Sequence, residues 1–272
     1  MKARSCSALR SGLLAVFVAG ALTLAVSRPG AAASAAGVGM HAAGDGWVLG
    51  VADVPAPQAP GAKVRTPARI EVLAGQAGQG GAPLQAVSAA QAAQQVADGA
   101  LDAWVGEWSD ASALPPGVHV ARLAWSASPM AIMRTDTDIH AWSDLSGRTV
   151  CLSADGRVSG ELSARFGAIE QIYASATDAL LALRIGQCDA AVQDEDFMKQ
   201  LLAFPEWRKF SAQLAPYRSQ TLKRLMRDDL PAPLEAAIRQ ATAPERLRQL
   251  AHQQAGDIAF EVYLDQTVPD CH

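Results

Sequence analysis

Five polar side chains lie at or just after the ends of predicted β-strands, and their types are those that bind small charged molecules. They are Asp53, Glu107, Arg157, Ser159 and Asp194. Ligands of open α/β sheets lie beyond the carboxyl ends of the strands, beside helix N-termini. The Arg157 guanidinium offers two parallel hydrogen bonds to a carboxylate, and the backbone N–H groups that follow it add donors. These residues predict a ligand site at the sheet edges.

Several of these residues also have a purely structural interpretation. Asp194 precedes a predicted helix, and aspartate is a favoured N-cap residue. Arg157 is also compatible with an ordinary solvated surface position. The indoles of Trp104, Trp108 and Trp125 either stack on a ligand or pack in the core, which is the commoner role for Trp104 and Trp125. The sequence leaves these alternatives open.

The residue types argue against several kinds of catalysis. The sequence contains no Gly-x-Ser-x-Gly, no His-Glu-x-x-His and no phosphate-binding loop. No histidine stands at the end of a predicted strand, and Glu107 is the one carboxylate placed for proton transfer. No histidine accompanies the cysteines at metal-ligand spacing, so we expect neither a metal nor a cofactor. A binding protein is favoured over an enzyme.

The elements that position these residues occur twice. Residues 88–105 recur as residues 175–192, with Ser, Gly, Asp, Ala and Val at the same spacing, and residues 48–53 match residues 150–155. A further helix is predicted over residues 155–167. The alternative explanation is chance similarity between two alanine-rich helices. The repeat predicts an α/β protein of two lobes, each a mostly parallel sheet flanked by helices, with a cleft between them.

Two extended stretches predict where the chain crosses between the lobes. The first lies within residues 118–133 and the return lies within residues 220–226. Two crossings make the first lobe discontinuous. We therefore expect residues 34–126 and 220–272 to form the first lobe and residues 127–219 to form the second.

Residues 1–33 have the three parts of a secretory signal peptide. A basic start is followed by an uncharged apolar run at residues 12–26 and a small-residue cleavage site at residues 31–33. The run is too short for a membrane span and lacks a stop-transfer flank. We therefore predict a soluble, monomeric periplasmic protein that begins near Ser34.

Composition limits the partners of the mature chain. About 240 residues remain after cleavage, which suits two lobes of about 100 residues each. The formal net charge is −4 and both signs are interspersed. Nucleic acids require a clustered basic face, so we expect a small-molecule ligand instead.

Three cysteines remain after cleavage, at positions 151, 188 and 271. Cys151 lies in the first strand of the second half and Cys188 opens the third. These strands are neighbours in the order 2-1-3 that is usual for such a lobe. An oxidising compartment therefore predicts a Cys151–Cys188 disulfide, with two buried thiols as the alternative. Cys271 is left without a predicted role.

The most specific resemblance covers residues 123–194. Leu-Ala-Trp-Ser-Ala-Ser-Pro at 123–129, Trp-Ser-Asp-Leu-Ser-Gly at 142–147 and Ile-Gly-Gln-Cys-Asp-Ala-Ala-Val-Gln-Asp at 185–194 occur in one order. This series resembles periplasmic solute-binding proteins that deliver polar amino acids to ABC importers. The resemblance implies a type II two-lobe fold that closes on its ligand by hinge motion, with importer membrane subunits as partners. It also implies that Ser126 lines the site and that Asp194 accepts the ligand ammonium.

The sequence departs from the pattern of this family in the first lobe. The family carries an arginine shortly before Ser-x-x-Pro to hold the ligand carboxylate, and residues 112–119 contain none. Arg122 lies later, Met130 replaces an aromatic residue, and residues 156–159 replace a Gly-Ser/Thr-Thr turn. Two alternatives follow. One is an enzyme on the same fold, resembling cyclohexadienyl or arogenate dehydratases, and the other is a protein of this fold with a degenerate cleft.

Overall fold

The computed structural model describes residues 47–52, 63–77, 83–109 and 112–267, all of which lie within one compact unit, Val38–His272. The predicted signal peptide, Asp53 and Cys271 fall outside the described residues. The strands are β1 Leu49–Val51, β2 Leu84–Ala86, β3 Ala103–Gly106, β4 Val118–Ser126, β5 Pro129–Met133, β6 Thr149–Ser153, β7 Ile169–Tyr173, β8 Ala190–Asp194, β9 Ala212–Leu214 and β10 Thr221–Arg227. The helices are α1 Ile70–Gln76, α2 Ala89–Ala97, α3 Glu161–Phe166, α4 Ala176–Arg184, α5 Glu195–Leu202, α6 Ala232–Ala241 and α7 Pro244–Asp265, with 3-10 turns at Trp142–Leu145 and Pro205–Phe210.

The strands form two five-stranded mixed sheets, which confirms the predicted two-lobe α/β architecture. The first sheet has the order β2-β1-β3-β10-β4 and the second has the order β7-β6-β8-β5-β9. We call these sheets, with their flanking helices, the first and second lobes. In each lobe the three strands of the repeat pair in parallel in the order 2-1-3. The chain passes to the second sheet after β4 and returns before β10.

The glycine and aspartate residues at the turn of the repeat have the same structural roles in both lobes. Gly99 and Gly186 both adopt positive φ, at 73° and 77°, where a side chain would be strained. The Asp102 carboxylate accepts a hydrogen bond of 2.8 Å from the backbone N–H of Val48. The Asp189 carboxylate accepts one of the same length from the N–H of Thr149. Each aspartate thereby ties the start of the third strand to the start of the first.

The largest apolar core joins the two lobes. It contains Leu49 from β1, Leu180 from α4, Phe197 from α5 and Ile258 from α7, all fully buried. The long helix α7 packs against α1 as well as against α4 and α5. A smaller cluster of buried apolar side chains packs on one face of each sheet. No described helix has both the length and the hydropathy that a membrane crossing requires.

The predicted disulfide is confirmed, with Cα atoms of Cys151 and Cys188 5.8 Å apart. Cys151 lies in β6, and Cys188 lies in the turn just before β8. Because β6 and β8 are parallel neighbours, the bond joins the first and third strands of the second lobe. The separation lies within the range that a disulfide spans without moving the backbone.

The predicted helix at residues 155–167 starts later than expected. Helix α3 begins at Glu161, so Arg157 and Ser159 lie in the preceding loop. The chain turns tightly at Gly156. A Cβ atom at this position would lie 2.8 Å from the carbonyl oxygen of Ser153, so the turn requires glycine. Gly160 then adopts a left-handed conformation with φ 82°. The loop rather than a helix N-terminus therefore presents Arg157 to the cleft.

Candidate functional site

The candidate site lies where the strand ends of the two lobes meet. Glu107 directly follows β3 of the first lobe, and Asp194 is the last residue of β8 of the second. Arg157 lies in the loop after β6, the parallel neighbour of β8. Glu71 comes from the first turn of α1 in the first lobe. The sheet topology thus brings charged side chains from both lobes to one place.

The Arg157 guanidinium is the centre of this group, and its side chain is only 5% exposed. Its Nη2 atom donates to both carboxylate oxygens of Glu71, at 2.8 and 2.7 Å. Its Nε atom donates to both oxygens of Asp194, at 3.1 Å each. Its Nη1 atom lies 3.9 Å from Oε1 of Glu107. Arg157 therefore connects a carboxylate of the first lobe to one of the second.

Burial acts in opposite directions on the pKa of the Arg157 guanidinium and on the pKa of the Glu107 carboxyl group. Desolvation disfavours the charged form of Arg157, but the charges of Asp194 and Glu71 outweigh it and raise its pKa. Desolvation also raises the pKa of Glu107, although Arg157 opposes the effect. Oε1 of Glu107 is buried and has no hydrogen-bond partner among the described residues. Glu107 is thus the least satisfied carboxylate of the group.

The side chain of Asp194 faces Arg157 and Trp125 rather than the helix that follows it. Asp194 occupies the N-cap position of α5 but makes no capping hydrogen bond with its side chain. Instead its carboxylate accepts from Nε1 of Trp125, at 3.1 Å, and from Arg157. The helix-cap interpretation of Asp194 is therefore wrong. The indole of Trp125 orients the carboxylate while its ring is buried in the core.

A second set of bonds lies beside Arg157, made by the residues just before α1. The Ala68 backbone N–H donates to Oδ2 of Asp155 at 3.0 Å, and Nε of Arg69 donates to the Asp155 carbonyl at 2.7 Å. Arg69 also lies 3.5 Å from Glu71. Both guanidiniums therefore contact Glu71, whose carboxylate is 0% exposed.

The structure places the remaining predicted residues outside this group. The Ser126 hydroxyl donates to Oε2 of Glu195 at 2.7 Å and lies 2.9 Å from the Ser128 hydroxyl, at the first crossing between lobes. Ser159 is exposed on the loop before α3. Trp104 and Trp108 pack edge to face, with ring centroids 6.1 Å apart, inside the core of the first lobe. These indoles are core residues, which leaves the charged side chains to define the site.

Sequence analysis missed Glu71, Arg69 and Asp155. Helix α1 has an apolar face of Ile70, Leu73 and Ala74, which is typical of an ordinary core helix. A useful signal was present, because Arg69 and Glu71 are charges within an otherwise apolar stretch. Charged residues are almost never fully buried unless they are paired. A lone Arg–Glu pair in such a stretch indicates a buried ionic partner elsewhere in the chain.

The arrangement places a guanidinium and carboxylates of both lobes in contact at the strand ends. No group of three or more histidine, cysteine, aspartate or glutamate side chains is placed to hold a metal within the part of the chain that is described. The Arg157–Asp194 pair presents one donor fork and one acceptor side by side. An ammonium and a carboxylate on one small molecule match these two groups.

No protein-family model matches the chain, and no curated protein matches it. Solved structures show similar folds at low identity. The GluR0 ligand-binding core in complex with L-glutamate is 16% identical over 82% of this chain and 99% of its own, with a TM-score of 0.45. A protein from Bacillus subtilis is 17% identical over 79% and 92%, with a TM-score of 0.48. The substrate-binding protein of an amino acid ABC transporter is 16% identical over 80% and 97%, with a TM-score of 0.41.

Proposed function

We propose that the chain is an exported solute-binding protein that captures a small zwitterion, an amino acid or a related compound, in the cleft between its lobes. The observation that supports this most directly is the Arg157–Asp194 pair. These opposite charges lie together at the strand ends, beside carboxylates from the first lobe. Strand ends of open α/β sheets are the usual place for ligands.

A zwitterion replaces this ion pair without changing the net charge of the cleft. The ligand ammonium takes the place of the guanidinium at Asp194, and the ligand carboxylate takes the Nε side of Arg157. Glu71 retains its two hydrogen bonds to Nη2, so Arg157 stays neutralised during the exchange. The departure of a partner from a buried charge is costly unless another takes its place. A ligand with a carboxylate alone leaves Asp194 without a cation, and a ligand with an ammonium alone leaves the Nε atom of Arg157 without an acceptor.

The degenerate cleft remains the second candidate, and one observation favours it. Arg157 is already paired with carboxylates of the chain itself, so its side chain is nearly inaccessible. A protein with this cleft binds no solute if the pair never opens. The enzyme alternative has less support. Among the described carboxylates around Arg157, Glu107 alone has an oxygen without a hydrogen-bond partner, so it is the one candidate for proton transfer.

We propose the following setting for this activity. Residues 1–33 direct export and are removed, and the mature monomer acts in the periplasm with importer membrane subunits or a sensor as partner. The first lobe extends over residues 34–126 and 220–272, and the second over residues 127–219. The basic, apolar and small-residue segments of the leader support the first statement.

Binding is tested first by thermal shift and then by Asp194→Asn. A specific amino acid raises the melting temperature with the logarithm of its concentration. Titration calorimetry on Asp194→Asn then shows affinity lowered by more than about tenfold, since losing one partner of a buried charge pair costs roughly 2–5 kcal/mol.

Asp136→Asn is the matched control, because Asp136 makes a bidentate pair with Arg134 at an exposed site. It should leave affinity unchanged. An unaltered affinity in Asp194→Asn contradicts the zwitterion site. A screen in which no compound shifts the melting temperature supports the degenerate cleft.

A further inference from the structure

We infer that the lobes are held closed in the absence of solute by a set of bonds that we call the clasp. The clasp consists of residues 65–71 of the first lobe and their partners in the second lobe and on α7. Its central bond joins Glu71 to Arg157. This inference goes beyond the proposed function, because it concerns the resting state of the chain without any ligand.

The Glu71–Arg157 bond is a buried contact between lobes. Glu71 lies on α1, which packs on β1, and Arg157 lies on the loop after β6. Both oxygens of Glu71 are engaged, at 2.8 and 2.7 Å, and neither side chain is appreciably exposed. Opening the lobes separates these two charges. Hydrogen bonds between two charged groups are roughly twice as strong as those between neutral groups.

Residues before α1 add backbone bonds to the same loop. Asp155 accepts from the backbone N–H of Ala68 and, through its carbonyl, from Arg69. Nε2 of Gln254, a buried residue of α7, donates to the carbonyls of Pro67 and Ala68 at 2.7 Å each. These bonds hold the residues before α1 against the second lobe and α7. Glu71 is thereby positioned before it contacts Arg157.

A second bridge lies at the other end of the clasp. Glu261 of α7 accepts from the backbone N–H and the hydroxyl of Thr66, at 3.0 and 2.7 Å. Its other oxygen accepts from the hydroxyl of Thr177 on α4. Arg65 donates to Asp178 on the same helix at 2.8 Å. The clasp therefore contacts the second lobe at α4 as well as at the loop after β6.

The consequence is that closure does not depend on solute. In a hinge-closing binding protein the ligand supplies the contacts that bring the lobes together. Here Arg157 supplies such a contact from within the chain, in the position where a ligand cation would lie against acidic groups of both lobes. Solute exchange then involves the Asp194 side of Arg157, while the Glu71 side keeps the lobes together.

Small-angle X-ray scattering of the ligand-free chain tests this inference. Arg157→Gln removes the cation that Glu71 and Asp194 share across the lobes, so we expect a larger radius of gyration than in the parent chain. Glu71→Gln keeps the shape of the side chain but removes its charge, so we expect a smaller expansion. Hydrogen exchange at the Ala68 amide should become faster in both variants, because its bond to Asp155 is lost on opening.

Arg239→Gln is the matched control, since Arg239 pairs with Glu235 on the exposed side of α6 at 2.6 Å. It should change neither the scattering nor the exchange at Ala68. Scattering and Ala68 exchange identical to those of the parent in a folded Arg157→Gln overturn the inference. If Arg157→Gln does not fold, the same two measurements on Glu71→Gln decide it. None of these experiments uses a ligand, so their failure leaves the proposal for Asp194 standing.

Discussion

At the scale of single residues, the carboxylates around Arg157 are not equivalent. The side chain of Glu71 is fully buried and accepts two short hydrogen bonds from Arg157. The side chain of Glu107 is 33% exposed, and its Oε1 atom lies 3.9 Å from Nη1 of Arg157. Removing one partner of a buried ion pair typically costs about 3–5 kcal/mol, because the other charge is left without compensation. The cost arises at Glu71, since Glu107 contributes no hydrogen bond to the guanidinium. Substitution at Glu107 should therefore be tolerated.

We expect Glu107→Gln to stabilise the ligand-free chain at neutral pH. Desolvation raises the pKa of Glu107 above its ordinary value of 4.5, so the folded state binds this proton more tightly than the unfolded state does. The stability contributed by this group is present below pH 4.5 and is lost as the pH rises through the raised pKa. The amide imitates the protonated acid and avoids that loss.

The measurement is the melting temperature of both chains from neutral to acidic pH. The advantage of Glu107→Gln should be largest at neutral pH and should shrink as Glu107 of the parent takes up its proton. Glu206→Gln, at an exposed position, controls for the loss of one negative charge. A lower melting temperature for Glu107→Gln at neutral pH would show that its attraction to Arg157 outweighs desolvation.

At the scale of elements, the repeated aspartates provide a comparison within one molecule. Asp102 is buried and Asp189 is 37% exposed, yet each accepts the same 2.8 Å bond from the start of a first strand. When the carboxylate is removed, water can accept the hydrogen bond from the backbone N–H more readily at the more exposed Asp189 site than at the buried Asp102 site. We expect Asp102→Ala to lower the free energy of unfolding by about 1–3 kcal/mol and Asp189→Ala to lower it less.

Urea unfolding of the two variants measures this difference. Asp102→Asn keeps an acceptor for the N–H of Val48, so it should retain most of the stability that Asp102→Ala loses. Equal losses in the two alanine variants would show that solvent exposure does not decide the strength of this tie.

At the scale of the whole molecule, the shared core predicts one unfolding transition. The main cluster includes residues of both sheets and of α7, so neither lobe can unfold without exposing apolar surface of the other. Calorimetry should give a van't Hoff enthalpy equal to the calorimetric one. In Asp102→Ala the entire transition should move to lower temperature. A separate early step in that variant would mean that the first lobe unfolds independently.

The sequence was sufficient for the architecture and for part of the site. The repeat predicted the elements of each lobe, because its helix-capping, glycine-turn and strand residues act locally. The order 2-1-3 of the three repeat strands was expected because it is usual for such a lobe. The disulfide followed from that order and from the predicted export. Asp194 and Glu107 were identified because their positions at strand ends are read directly from the element boundaries.

Only the tertiary structure showed what these residues contact. Arg157 and Glu71 are 86 positions apart, and Arg157 and Asp194 are 37 apart. No local pattern specifies such pairs, because they depend on how two lobes approach across the cleft. The sequence indicated which strand ends carry charged side chains, and the packing of the lobes determined that Arg157 pairs with acids of the chain itself, since burial leaves a guanidinium no other source of compensation.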